Sequence, residues 1–307
     1  MAARAGKIAR KMKPLTILGV IVVIAVVGLF WVSGSQMNTV QVQQKGSDTL
    51  LFLAQGWAEA YMAENGSVEV VVSGGGTGTG ITALINGVVD IADASREIKE
   101  IEVETARKVG VDPVEWVVAI DGISIVLNRA NPVRELSYDQ LRGIYNGSVR
   151  DWSEVGGSGG VVVAYGRQST SGTYVYFNEE VLRGDDFRAD TQQLAGSSEI
   201  VEAVVNDPNG IGYVGVAYAE ARRDELITVS VRKAEGEKAY QPTADNIASG
   251  DYPISRDLYV YTDGVPTGAV AGYLRFILSG EGQRIAGEAG FIELPKEMLD
   301  EQLAKLG

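Results

Sequence analysis

The chain has 307 residues and a net charge of −13, from 27 basic and 40 acidic side chains, and it contains neither histidine nor cysteine. These two absences exclude disulfides, thiol nucleophiles, iron–sulfur clusters, Ser-His-Asp triads and imidazole metal ligands. The acidic balance also argues against nucleic-acid binding, which needs basic surface to neutralise phosphates.

The N-terminal segment differs from the rest of the chain. Five basic residues and no acidic residue precede residue 40, and residues 15–32 are uncharged with Thr16 as their one polar side chain. A membrane-spanning helix needs about 17–25 such residues, and the basic flank predicts that it stays in the cytoplasm. We therefore expect a basic cytoplasmic arm at residues 1–14, a transmembrane anchor or signal segment at 15–32 and a linker at 33–39.

A cleaved signal peptide is the alternative for this segment, because Ser33 and Gly34 are small residues at its end. Signal cores usually span about 7–15 residues, which favours the anchor. In both cases residues 40–307 are exported. They carry a net charge of −18, because all 40 acidic residues but only 22 of the basic ones lie there.

The remaining 268 residues alternate between strand and helix patterns, with no internal repeat. This alternation predicts an α/β fold with two lobes, or one large domain, and with a largely parallel sheet in each lobe. The expected elements, in chain order, are strand 40–42, a helix from 50 to the Asn65-Gly66 stop, strand 67–72, helix 81–86, strand 88–92, helix 97–109, strands 114–120 and 123–127, a helix from the Ser137 cap to 145, strand 161–165, helices 174–182 and 199–205, strands 210–215 and 258–262, and helices 269–278, 281–288 and 296–305.

Three polar, glycine-rich turns lie where a predicted strand meets a predicted helix. They are Gly46-Ser47-Asp48-Thr49, Gly76-Thr77-Gly78-Thr79-Gly80 and Ser171-Gly172-Thr173. A helix N-terminus has unsatisfied N–H donors and partial positive charge, so each turn is a candidate anion site. Plain helix capping is the alternative for each turn taken singly. The anion site gains support only if the fold brings the three turns together.

Nucleotide-binding loops do not explain these turns. A P-loop needs Gly-Lys-Ser/Thr, which the sequence lacks, and the glycines of residues 74–80 do not have the Gly-x-Gly-x-x-Gly spacing of dinucleotide folds.

Charged residues near the same junctions could bind an anion directly or select which anion binds. Arg167 lies four residues before Ser171, and Arg96 directly follows Ser95. Either guanidinium could make a bidentate hydrogen bond to an oxyanion, or it could pair with a surface carboxylate. Three acidic residues, Asp48, Asp93 and Asp121, could accept the proton of monohydrogen phosphate, which sulfate lacks, or serve as turn and cap carboxylates.

The ordered set of these segments resembles the substrate-binding proteins of ABC phosphate importers, the PstS type. The resemblance spans nearly all of residues 40–290. The arginine-to-Ser-Gly-Thr spacing and Tyr252-Pro-Ile-Ser-Arg256 are its more specific parts. The matching segments are Gly46–Thr49, Gly75–Gly80, Asp90–Arg96, Leu136–Gly147 with Trp152, Arg167–Thr173, Gly210–Gly215 and Tyr252–Tyr259.

The resemblance implies a type II periplasmic-binding-protein fold whose two lobes, joined by two hinge strands, close on a dehydrated phosphate. Lobe I would comprise residues 40–121 plus 258–307, and lobe II residues 122–257. The chain would cross near Asp121-Gly122 and return near Arg256, in each case where a polar turn joins a strand. The implied function is delivery of inorganic phosphate to an ABC permease, without catalysis, cofactor or metal.

Carried over by position, Thr49, Leu50 and Thr77 would contact phosphate from one lobe, and Arg167, Ser171, Gly172 and Thr173 from the other. Ser95 departs from those relatives that have a carboxylate there to take the phosphate proton. The full expected set is Ser47, Asp48, Thr49, Leu50, Thr77, Gly78, Ser95, Arg96, Asp121, Arg167, Ser171, Gly172 and Thr173. Alternatives are the same fold binding sulfate, molybdate or tungstate, and a membrane-anchored anion sensor.

Overall fold

The computed structural model describes residues 39–307, so the expected anchor or signal at residues 15–32 lies outside the described residues. Between residues 39 and 307 no helix is both long enough and apolar enough to cross a membrane. Residues 40–307 form one compact unit.

Eleven strands and eleven α-helices make up this part of the chain. The strands are β1 (Val40–Gly46), β2 (Val68–Ser73), β3 (Ile91–Ala94), β4 (Pro113–Asn128), β5 (Glu135–Ser137), β6 (Val163–Arg167), β7 (Gln192–Leu194), β8 (Gly210–Gly215), β9 (Leu226–Thr228), β10 (Ser230–Arg232) and β11 (Ser255–Asp263). The helices are α1 (Leu51–Glu64), α2 (Thr77–Ile85), α3 (Glu100–Lys108), α4 (Tyr138–Asn146), α5 (Gly172–Glu180), α6 (Ser197–Asn206), α7 (Val216–Glu220), α8 (Ala244–Ala248), α9 (Gly268–Ile277), α10 (Gly280–Glu288) and α11 (Lys296–Lys305), with a 3₁₀ helix at Trp152–Val155.

The main sheet is mixed rather than largely parallel. Its order is β2-β1-β3-β11-β4-β8-β6-β7, and β9 also pairs with β4. The outer strands β2, β1 and β3 are mutually parallel, as are β8, β6 and β7, whereas β11 and β4 run antiparallel to their neighbours. The expectation of a parallel sheet is therefore wrong at the centre. The long strands β4 and β11 run in opposite directions there and link the two parallel halves.

Strand β4 is continuous over 16 residues, which corrects the expectation of two strands around a turn at Asp121-Gly122. Asp121 does not mark a turn, because its carboxylate is buried against Arg256 of β11, its direct partner across the antiparallel pair. Gly122 continues the ladder opposite Ser255. The return crossing lies in strand β11, whose register against β4 shifts between Leu258 and Tyr259.

The buried apolar side chains of residues 39–307 form three cores, and β4 contributes to all of them. Trp57, Trp116 and Tyr273 belong to the first, and Trp152 and Phe177 to the second. Strand β4 contributes to the first core as far as Ala119, and from Ile123 onward its side chains enter the second core and, through Val126, the smaller third one. The chain therefore has the two-lobed α/β architecture that the sequence predicted.

Several element boundaries differ from the expected ones in an informative way. Helix α2 begins at Thr77 rather than residue 81, and α5 begins at Gly172 rather than residue 174. Two of the three glycine-rich turns thus form the first helical turns themselves, because tertiary contacts override the weak helix propensity of Gly and Thr, whereas residues 46–49 precede α1. The strand expected at 88–92 lies at Ile91–Ala94, and the short elements β5, β7, β9, β10, α7 and α8 were not predicted.

Candidate functional site

The three glycine-rich turns sit at the carboxyl ends of parallel strands. Strand β1 leads into α1 through residues 47–50, β2 leads into α2, and β6 leads into α5. Strand β3 ends in the same region, and Ser95 follows it. In open α/β sheets this edge is where ligands bind.

Five hydroxyl groups, four from these turns and one from Ser95, form one buried cluster. The Thr49 and Thr173 hydroxyl oxygens are 2.8 Å apart. The Ser95 hydroxyl accepts from Ser47 at 2.9 Å and lies 3.3 Å from the Thr77 hydroxyl oxygen. All five side chains are at most 2% exposed. The structure thus brings together donors that lie up to 126 residues apart in the sequence.

Glycine permits the close approach of α2 and α5. A Cβ on Gly172 would lie 2.4 Å from the Thr77 hydroxyl oxygen and 2.6 Å from that of Ser95. The amide of Gly78 donates to the carbonyl of Thr170 at 3.0 Å. Gly76 has φ +92°, and a Cβ there would lie 2.7 Å from the same carbonyl oxygen. The two helix N-termini therefore face each other, with their positive ends together.

Arg167, at the end of β6, is a buried cation that pairs with Asp48, the residue between Ser47 and Thr49 of the cluster. Its guanidinium is 1% exposed and donates to the Asp48 carboxylate at 2.7 Å, the Ala195 carbonyl at 2.8 Å and the Ser197 hydroxyl at 3.2 Å. Burial lowers the pKa of Arg167, while the Asp48 charge opposes that shift. An arginine keeps its charge under these conditions. The second carboxylate oxygen of Asp48 accepts from the Gly75 amide at 2.8 Å.

Arg256 is a second buried cation at the cluster, and the expected site did not include it. Its guanidinium donates to Asp121 at 3.0 Å and 3.3 Å, to the Thr173 hydroxyl at 3.0 Å and to the Ser95 carbonyl at 2.6 Å. Burial raises the pKa of Asp121, and Arg256 counteracts this. The sequence offered little signal for this role, because Arg256 lies between Ser255 and Asp257 in a polar stretch at the start of β11.

The other expected residues have different surroundings. Ser171 caps α5 by accepting from the amides of Thr173 and Tyr174. Leu50 places its side chain in the first core and donates its amide to the Ser47 carbonyl at 3.2 Å. Arg96 faces Glu102, with two contacts of 2.8 Å that hold its guanidinium.

Asp93, at the end of β3, faces the protein interior rather than the hydroxyl cluster. It is 1% exposed, and its carboxylate accepts from the Gln44 amide at 2.6 Å. Burial raises the pKa of Asp93 and the Gln44 hydrogen bond lowers it, and together they bring it to about 7. Asp93 is thus a buried acid beneath the site.

The cluster has the composition of an oxyanion site. It offers short neutral donors, two opposed helix N-termini and two guanidinium groups, each balanced by one carboxylate. Buried anions are tolerated only where donors satisfy them, and this arrangement supplies such donors. Within residues 39–307 no group of His, Cys, Asp or Glu side chains could hold a metal ion.

Comparison with known proteins decides the family. A family model described as the PBP superfamily domain matches residues 33–281. The phosphate-binding protein PstS of Pseudomonas aeruginosa is 33% identical over 279 residues, which is 85% of each chain. The PstS of Staphylococcus saprophyticus is 34% identical over 272 residues, 87% of this chain and 84% of that one.

The chain belongs to the PstS family. Among solved structures, one from Clostridium perfringens with bound phosphate, described as a phosphate ABC transporter substrate-binding protein, has a TM-score of 0.75 and 28% identity over 83% of this chain and 100% of that one. A receptor for ABC-type phosphate transport from Vibrio cholerae has a TM-score of 0.67 and 26% identity over 83% and 100%. PstS proteins bind substrates for transporters, so membership of this family confirms that the chain is not an enzyme.

Proposed function

We propose that the chain captures inorganic phosphate in the cleft between its two lobes and delivers it to an ABC permease. The observation that carries this proposal is the buried hydroxyl cluster, in which Thr49 and Thr77 from one side meet Thr173 from the other. The names of the PstS relatives, and the phosphate bound in the Clostridium perfringens structure, support phosphate as the ligand.

We assign the lobes by the division between the first and second cores. Lobe I comprises residues 40–121 plus 258–307, and lobe II residues 122–257, because the core to which β4 contributes changes between Ala119 and Ile123. The hinge then consists of the two antiparallel strands β4 and β11. A bound anion stabilises the closed arrangement by mass action, since it contacts both lobes only when they meet.

Each expected ligand has a role that fits its position. The hydroxyls of Thr49 and Thr77 and the amide of Leu50 donate from lobe I. In lobe II, Thr173 donates its hydroxyl, Gly172 donates its amide at the start of α5, and Arg167 contributes charge, while the Thr173 amide stays bonded to the Ser171 cap. Ser47, Ser95, Gly78 and Ser171 order the turns around the anion, while Asp48 and Asp121 hold the arginines. Arg96, paired with Glu102, acts only at a distance through its charge.

A second oxyanion remains a candidate ligand because of Ser95. A hydroxyl at this position neither accepts the proton of monohydrogen phosphate with the strength of a carboxylate nor repels sulfate. Asp48 and Asp121 are the nearby carboxylates, and both are paired with arginines. The choice between phosphate and sulfate, molybdate or tungstate is therefore a direct test of the site.

Titration calorimetry of residues 40–307 with phosphate, sulfate and molybdate at pH 7 provides that test. We expect saturable heat with phosphate and a much weaker response to the other two anions. A sulfate signal beside a silent phosphate titration would contradict the proposal. Affinity should change little with added salt, because short-range donors rather than the net charge of −18 hold the ligand.

The membrane tether belongs to the same proposal. Residues 15–32 would anchor the binding domain outside the cytoplasmic membrane, close to the permease, and residues 33–39 would link the two. The N-terminal residue of the mature protein, read by mass spectrometry from a membrane fraction, distinguishes an anchor from a cleaved signal. Phosphate uptake that continues without this protein would favour a sensor over a transport component.

A further inference from the structure

Arg256 occupies an unusual position because it touches three parts of the fold at once. It lies on hinge strand β11, pairs with Asp121 of hinge strand β4, donates to the Ser95 carbonyl after β3 and donates to the Thr173 hydroxyl at the start of α5. The side chain is 2% exposed. One guanidinium group therefore joins the hinge to both walls of the hydroxyl cluster.

Asp121 fixes the direction of this guanidinium. The two residues are cross-strand partners in the antiparallel pair, and two nitrogens of Arg256 contact the same carboxylate oxygen at 3.0 Å and 3.3 Å. The other carboxylate oxygen accepts from the Val216 amide at 3.3 Å. Because the planar fork is held at its hinge end, its remaining N–H groups point at fixed acceptors.

The contact with Thr173 affects how the hydroxyl pair can donate. Thr49 and Thr173 have two hydroxyl hydrogens between them, and their 2.8 Å contact uses one. The second hydrogen is available to an anion oxygen. Donation from Arg256 into the Thr173 oxygen polarises that hydroxyl and makes the pair a stronger donor.

We propose that Arg256 is a positioning residue that acts on anion capture through Thr173, an inference that rests on the proposed function. It orients the Thr173 hydroxyl toward the cleft and places that hydroxyl under the control of the hinge pair. The strength of anion binding and the alignment of β4 with β11 are then linked by one side chain. Asp121 serves this device as the counter-charge of Arg256.

A double-mutant cycle tests this assignment on residues 40–307, which form one compact unit. Phosphate affinity is measured by calorimetry for the parent, Arg256→Gln, Thr173→Val and the double variant. We expect each single change to weaken binding about tenfold or more, and the double variant to be no more than about threefold weaker than the worse single variant. Losses that multiply in the double variant would overturn the assignment.

A second cycle supplies the matched control. Ser197 contacts Arg167 rather than Arg256, so the losses from Ser197→Ala and Arg256→Gln should multiply. A general loosening of the fold would instead make both cycles deviate in the same way, which would contradict a specific role through Thr173. Arg142→Gln, at an arginine paired with Asp185 outside the cluster, should leave affinity unchanged.

Arg256→Lys keeps the inference testable if Arg256→Gln does not fold. Lysine retains the charge beside Asp121 but lacks the planar guanidinium that donates to several acceptors at once. Phosphate binding should therefore be weaker, and the losses from Arg256→Lys and Thr173→Val should not multiply in the double variant. Unchanged affinity of a folded Arg256 variant would overturn the inference while the proposed function stands. A parent protein that binds no phosphate would instead remove the proposed function itself.

Discussion

The hydroxyl oxygens of Thr49 and Thr173 lie 2.8 Å apart, although 124 residues separate them in the chain. Thr49 lies two residues before α1 and Thr173 in the first turn of α5, and each of these helices follows a strand of the main sheet. Both side chains are buried, at 1% and 0% exposure. When an anion binds, hydrogen bonds from these two neutral hydroxyls to the anion can replace the contact between them.

Replacement of Thr49 by valine tests the role of this hydroxyl. Valine keeps the methyl group that packs near Gly215 and removes only the hydroxyl. Because a hydrogen bond to a charged group contributes about 1.5–3 kcal/mol, phosphate should bind about 10–100-fold more weakly. Thr49→Ser, which keeps the hydroxyl, is the control and should bind within a few-fold of the parent by calorimetry. Equal affinities for all three proteins would show that the hydroxyl does not donate to the ligand.

Gly172→Ala tests the close approach of the two helix N-termini. The added methyl group would lie 2.4 Å from the Thr77 hydroxyl oxygen, so α5 must shift away from α2. Overpacking of this size costs about 1–3 kcal/mol, and we expect phosphate affinity to fall about 5–100-fold.

Gly280→Ala is the matched control for this substitution. Gly280 is also the first residue of its helix, but a Cβ there would meet nothing within 4 Å. The control should therefore bind phosphate like the parent. If Gly172→Ala also left affinity unchanged, the space between α2 and α5 would not belong to the binding site.

The sequence was sufficient to predict several strands and helices at or near their observed bounds. Gly210–Gly215 and Lys296–Lys305 were predicted with their observed bounds, and the Ser137 cap begins α4 as expected. Local hydrophobic periodicity and turn residues determine such elements. The three glycine-rich turns could be located for the same reason.

Pairings between distant segments could not be read from local patterns. Asp121 looked like a turn residue because its partner, Arg256, lies 135 positions further along the chain. Arg96 looked available because sequence spacing does not reveal that Glu102, one helix turn into α3, holds it. Which cation faces a cleft depends on strand register and competing carboxylates, and both are tertiary properties.

Arg167→Ala tests the contribution of the buried positive charge at the end of β6. Its guanidinium contacts Asp48, Ala195 and Ser197, so its position is fixed before an anion arrives. Loss of this charge should weaken phosphate binding at least about tenfold, because a charge-assisted contact with an anion is stronger than a neutral one. The phosphate affinity of Arg167→Lys should lie between those of the parent and Arg167→Ala, since lysine keeps the charge without the planar guanidinium. Calorimetric affinities that do not differ would exclude Arg167 from the site.

Asp93 predicts how the stability of the protein depends on pH. Burial raises its pKa to about 7, well above that of an aspartate in the unfolded chain, which is about 3.9. Between these two values the native state holds a proton that the unfolded state has released, so stability decreases as pH rises. The slope is at most about 1.4 kcal/mol per pH unit over the window from about 4 to 7.

Asp93→Asn isolates this contribution, because asparagine can still accept from Gln44 but does not titrate. We expect the unfolding free energy of the parent, measured by urea denaturation, to fall from pH 5 to pH 7.5 relative to that of the variant. Asp121, whose pKa burial also raises, is present in both proteins and cancels in this difference. Parallel pH profiles would mean that Asp93 is already ionised in the folded protein at pH 5. Asp93 precedes Ser95 by two residues. The difference in phosphate affinity between the parent and Asp93→Asn, measured across the same pH range, therefore shows whether ionisation of Asp93 affects the hydroxyl cluster.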